Sequence, residues 1–205
     1  MRKGLIYPLL SMAVAASLLA GCTGGQQSKD YMEENDSVTV YPPDTAFYGH
    51  LGEGTGMSSL ELITDDGDTL ALNETNEKTG EPGRILGEIA NYTDQYAITT
   101  CDDNQSVNVA LNINQLAQRK WQSDTDKQHG FQLEMNGKAR SLATGPYKYN
   151  QWSLYNCKLI LLRESEGVHG AETRNDTLDI LKLTPDSLVL QSNRKNIPEK
   201  FHRIS

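Results

Sequence analysis

The chain has 205 residues, 19 of them basic and 27 acidic, for a formal net charge of −8 at pH 7. That balance excludes a nucleic-acid partner, whose phosphates demand a basic face, and suits a solvated protein.

The first element in chain order is a targeting segment. Arg2 and Lys3 form a basic start, an apolar stretch runs from about Leu5 to Leu19, and small residues follow at Ala20 and Gly21. A membrane-spanning helix needs about 20 apolar residues; this run is shorter and is interrupted by Pro8. Leu19-Ala20-Gly21-Cys22 resembles the lipobox of bacterial lipoproteins. The resemblance implies diacylation of the Cys22 thiol, cleavage before it and an acylated new N-terminus that anchors the protein to a membrane. Removal of residues 1–21 takes away Arg2 and Lys3 and no acid, which moves the formal charge from −8 to −10. Residues 22–44 are rich in Gly, Gln, Ser and acids and end near Pro42-Pro43, a composition that reads as a lipidated flexible tether. Ser28-Lys29-Asp30 and Glu33-Glu34 are similar to tags that direct some Gram-negative lipoproteins to the outer face of the outer membrane, and they read equally well as soluble linker.

From Thr45 onward the dominant period is two, and the fold class is all-β. Residues 45–116 predict five strands: a long glycine-bearing one through Gly49 and Leu62, then 69–73, 84–92, 95–101 and 107–113. Asp66-Gly67 sits between alternating apolar runs and predicts a hairpin. Val107, Val109, Leu111 and Ile113 alternate against Asn108, Ala110 and Asn112, so one face of that strand is expected inward. A first strand with repeated glycines can curve enough to serve both sides of a small barrel, the outline of an OB-like five-stranded barrel. Few aromatic and fewer basic residues accompany it, so the stacking and cationic surface used on single-stranded nucleic acid is missing.

Residues 117–205 parse as about eight short strands in succession, with corners at Asn136-Gly137, Asn156 and Pro185-Asp186. Such a meander closes into an up-and-down barrel, which removes exposed edges. Its aromatic residues Trp152, Tyr147 and Tyr149 are candidate lining for a ligand mouth.

R-K-W at 119–121, W-S-L-Y-N-C-K-L-I-L-L at 152–162, D-T-L-D-I-L-K-L-T-P-D-S-L-V-L at 176–190 and E-K-F-H-R at 199–203 together resemble the lipocalin-like lipoproteins of Gram-negative bacteria. L-E-L-I-T-D-D-G-D-T-L at 60–70 is similar to the small barrel that precedes that domain in some members. The resemblance implies a small lipocalin-like barrel over 117–205 on an outer-membrane lipoprotein, at its periplasmic face or at the cell surface. It also implies barrel closure by Trp121 on the first strand and Phe201 and Arg203 on the last, with the Arg203 guanidinium laid across the Trp121 indole. Arg119 stands where true lipocalins carry a glycine two places before the tryptophan.

No nucleophile setting and no metal-ligand spacing occurs, and His50, His129, His169 and His202 are scattered. The chain therefore reads as a non-enzyme with no cofactor and no metal. Two roles stay open: a barrel that binds a small apolar or amphipathic ligand, or a filled scaffold that binds other envelope proteins. Cys101 and Cys157 can form a disulfide in an oxidising compartment or be buried as small hydrophobes.

Overall fold

The computed structural model describes residues 43–143, 148–167, 170–194 and 197–205; side chains of 165–171 are outside the description. The targeting segment, Cys22, the tether up to residue 42, Tyr147 and His169 lie outside the described residues. The described chain is all-β apart from one short helix and forms two sheets.

The first sheet contains β1 (Phe47–Leu51), β2 (Ser59–Thr64), β3 (Thr69–Asn73), β4 (Arg84–Leu86), β5 (Gln95–Cys101) and β6 (Ser106–Asn112). Their order is β3-β2-β1-β5-β6-β4, and a single parallel bridge, Asn73 to Ser106, also joins β3 to β6. The long glycine-bearing first strand expected from the sequence is two strands. Gly52 and Gly54 turn over the Glu61 side chain, where an added Cβ would lie 2.0 Å and 2.5 Å from its carboxylate oxygens. The Gly54 N–H donates to Glu61 Oε1 at 3.1 Å, so glycines that looked like a bend close a hairpin instead. At the next turn Gly67, with φ +91°, donates to the Thr64 carbonyl, as Asp-Gly predicts. The expected strand over 84–92 ends at Leu86.

A second difference concerns β6. Its residues do not keep a single inward face, because a bulge in its pairing with β5 between Thr99 and Thr100 shifts the phase. Val107 and Ala110 join Leu60, Leu62, Leu72, Tyr96 and Ile98 in the core of the first sheet, while Leu111 belongs to the core beyond it. Both β5 and β6 are thus covered on two faces, which is why their apolar residues run nearly without interruption.

Ile113, expected as the end of a strand, begins the one-turn helix α1 (Ile113–Leu116). Buried Asn112 caps it by accepting from the Gln115 N–H at 2.9 Å, and its amide donates to the Glu88 carbonyl at 3.0 Å and to Asp94 Oδ2 at 2.8 Å.

The second sheet contains β7 (Arg119–Ser123), β8 (Gly130–Leu133), β9 (Ala139–Ser141), β10 (Lys148–Tyr155), β11 (Lys158–Gly167), β12 (Gly170–Leu183), β13 (Ser187–Ser192) and β14 (Glu199–Ile204). All sequential neighbours from β10 to β14 pair antiparallel, β14 returns to β7, and β7-β8-β9 follow. This eight-stranded barrel is nearly closed: between β9 and β10 the ring is completed by the Lys138–Gln151 bridge and by the Trp152 N–H donating to the Gly137 carbonyl at 2.8 Å.

One end of the barrel is stoppered. Leu86, Ala97, Leu111, Ile113 and Leu116 share a continuous core with Trp121, Cys157, Leu159, Ile180 and Leu183. The β10–β11 turn, built on Asn156 and Cys157 at positive φ, is tied to the start of the described chain: Asn156 Oδ1 accepts from the Thr45 N–H at 2.8 Å, and Asp44 Oδ1 accepts from the Asn156 N–H at 3.0 Å.

Candidate ligand-binding site

Strand alternation sends Leu159, Leu161 and Arg163 of β11, and Arg174, Asp176, Leu178 and Ile180 of β12, toward the barrel axis. The inward side chains change character along these strands, from apolar near the stoppered end to charged near the open one. Between them lies a cavity of about 300 Å³. Phe131, Leu161, Leu178, Leu190 and Phe201 give it an apolar floor. The floor is aromatic at its centre, with Phe131 5.2 Å from Phe201 and meeting Tyr149 nearly edge-on at 5.8 Å between ring centroids.

His129 connects three strands at the rim. Its Nδ1 lies 2.7 Å from Glu199 Oε1 and its Nε2 2.9 Å from the Tyr149 hydroxyl. In a neutral ring Nδ1–H donates to the carboxylate, leaving Nε2 to accept from the phenol. Ser123 Oγ donates to the same Glu199 oxygen at 2.8 Å. The chain Ser123–Glu199–His129–Tyr149 therefore ties β7, β14, the β7–β8 loop and β10 together where the cavity begins. Across the mouth, Arg163 Nε faces Asp176 Oδ2 at 3.3 Å, with both side chains less than one-fifth exposed. Arg174 and Arg194 complete the rim and are exposed.

Of the residues expected to line a mouth, Tyr149 does so and is 8 % exposed. Trp152 is half-buried on β10, does not line the cavity, and donates its indole N–H to the Glu134 carbonyl at 2.7 Å, which fastens the β9–β10 seam. Tyr147 falls outside the described residues. His129, Arg163, Arg174, Asp176, Arg194 and Glu199 were not singled out from the sequence as site residues. The signal for three of them was available: arginine or aspartate in the inward phase of a barrel strand.

At the other end, β14 pairs with β7 with Arg203 opposite Trp121 and Phe201 opposite Ser123. Trp121 is fully buried and donates its indole N–H to the Leu116 carbonyl at 2.9 Å, whereas Arg203 is exposed. Backbone pairing and the buried Phe201 join these strands, and among the described residues no guanidinium–indole stack accompanies them.

A recess of about 420 Å³ lies beside the stoppered end, around Arg84, Thr99, Asn108, Cys157 and Asp179. Its lining is mainly polar and partly committed: Arg84 Nη2 donates to the Ile180 carbonyl at 2.6 Å, and Lys158 pairs with Asp179 at 2.7 Å. Cys101 and Cys157 are both free thiols. No group of three or more His, Cys, Asp or Glu placed to hold a metal occurs among the described residues.

Residues 122–203 match a family model described as lipocalin-like. The matched segment begins within β7 and ends within β14, so it spans the eight-stranded barrel and leaves the first sheet outside. A solved lipocalin-like protein from Bacteroides thetaiotaomicron is 26% identical, with 42% of this chain and 95% of that one covered at a TM-score of 0.36. No curated protein matches the chain.

Proposed function

We propose that this protein is a lipid-anchored outer-membrane protein, without enzymatic activity, whose lipocalin-like barrel binds a small apolar or amphipathic ligand. The observation that carries the ligand reading is the cavity itself: about 300 Å³, apolar below and charged above, at the end of the barrel away from the core shared with the first sheet. That volume stands at the small end of the range of about 300 to 1,000 Å³ usual for ligand pockets, so the ligand is small or enters only in part. The membrane reading rests on Leu19-Ala20-Gly21-Cys22. In this reading the first sheet is an OB-like small barrel that stoppers the lipocalin-like one. The parallel β3–β6 bridge, which joins the two ends of the run β3-β2-β1-β5-β6 and leaves β4 outside it, supports it.

Two measurements test the proposal. Native mass spectrometry of the protein purified from its own host should show a bound small molecule; an empty chain accompanied only by a co-purifying protein would favour the scaffold role. Metabolic acyl labelling and detergent-phase partitioning should both be lost in Cys22→Ala, and a variant that still labels would end the lipoprotein reading.

A further inference from the structure

Among the described residues, the rim carries more positive charge than its own acids neutralise. Arg163 and Arg174 stand directly opposite each other in the antiparallel β11–β12 pair, on the face that points into the barrel. Side chains so placed have Cβ atoms about 4.5 to 5.5 Å apart, and like charges there repel. Asp176 faces Arg163. Glu199, the second acid of the lining, is held by His129 and Ser123. Arg174 and Arg194 make no ion pair among the described residues, and both line the same cavity. Glu172, two residues further out along β12, is exposed and does not line it. Three arginines against two carboxylates leave the described rim net positive in a chain whose net charge is −8. An acidic protein that gathers guanidiniums over an apolar floor offers complementarity to one class of ligand.

We infer that the mouth selects an anionic amphiphile, whose carboxylate or comparable head is received by Arg174 and Arg194 while its apolar tail lies on Phe131, Leu161, Leu178 and Phe201. The inference rests on the ligand-binding reading above and adds the charge of the head group. The planar guanidinium supplies two parallel N–H donors that fit a carboxylate, and it keeps its charge at every physiological pH. Ammonium heads are disfavoured by the same field, and neutral alcohols gain only the apolar contact.

Isothermal titration of the full chain carrying Cys22→Ser, purified without detergent, separates these contributions. Decanoate, decanol, decyltrimethylammonium and acetate are the probes. Decanoate should bind about tenfold more tightly than decanol, as expected for charge-assisted hydrogen bonds to the head, and decyltrimethylammonium more weakly than either. Acetate, an anion with no tail, should give no measurable heat. In Arg174→Gln/Arg194→Gln the preference for the acid should vanish while decanol affinity stays within about twofold, which also shows that the variant is folded. Equal affinity for decanoate and decanol in the wild type, or an acid preference that survives both substitutions, overturns the head-group inference and leaves the ligand-binding reading standing. If none of the ten-carbon probes binds, both fall.

Discussion

Cys157 illustrates how burial sets chemistry at a single residue. It is nearly inaccessible, its thiol lies 3.3 Å from the Ala97 carbonyl, and burial pushes its pKa from 9.0 up to about 12. The thiol should resist iodoacetamide at pH 8 in the folded protein while the half-buried Cys101 reacts, which peptide mass mapping will read. Because the folded-state pKa is raised, the stabilisation from keeping the thiol neutral is intact below pH 9 and is lost as pH rises through about 12. The urea midpoint of the wild type should accordingly fall more steeply over that window than that of Cys157→Ala. Trp152 makes a different residue-scale case, since its indole N–H satisfies the Glu134 carbonyl at the β9–β10 seam. Trp152→Phe keeps an aromatic ring, though a smaller one, and removes the donor, and should lower stability by about 1 to 2 kcal/mol in denaturant unfolding without altering ligand affinity.

Between elements, the joint of β14 with β7 separates what a sequence pattern states from what it leaves open. Period two places Phe201 and Arg203 on one face, and an up-and-down meander places the last strand beside the first; that Arg203 meets Trp121 is what the family resemblance implies, and the register sets the two opposite each other. Where the guanidinium goes does not follow, because the Trp121 N–H is taken by the Leu116 carbonyl of α1, an element whose position depends on the first sheet. A double-mutant cycle on Trp121→Phe and Arg203→Met should therefore return a coupling below the ~0.5 to 2 kcal/mol of a stacked cation–π pair. A larger coupling would restore the stacked closure. The same limit explains the first sheet. The Asp66-Gly67 hairpin and the eight-strand count of the second sheet are local and were legible. The bulge at Thr99 and Thr100 was not, since it is fixed by the second layer that β5 and β6 must cover. Charged residues in an inward phase at Arg163, Arg174 and Asp176 were the readable trace of the site, but alternation alone does not say that β8 and β10 to β14 converge on one cavity.

Across residues 45–205, the two sheets share a core, with Leu86, Ala97, Leu111 and Leu116 against Trp121, Cys157, Leu159 and Ile180. Read from the sequence, residues 117–205 form a barrel of their own. Severed from the first sheet, that fragment would expose the apolar stopper and lose the partner of the Trp121 indole. It should melt well below the intact chain, at a cost of several kcal/mol by the usual ~25 cal/mol per Å² of uncovered apolar surface. Equal melting temperatures would show that the shared core contributes little. With one end filled by the core shared with the first sheet, the proposed ligand enters at the rim of His129, Arg163, Arg174 and Glu199. Amide and methyl chemical-shift mapping of the Cys22→Ser chain titrated with decanoate tests it most directly. Saturable shifts should concentrate at Phe131, Tyr149, Leu161, Leu178, Leu190 and Phe201, with α1 and the first sheet unmoved; shifts centred on the recess around Arg84 and Asp179, or none at any residue, would rule out entry at this rim.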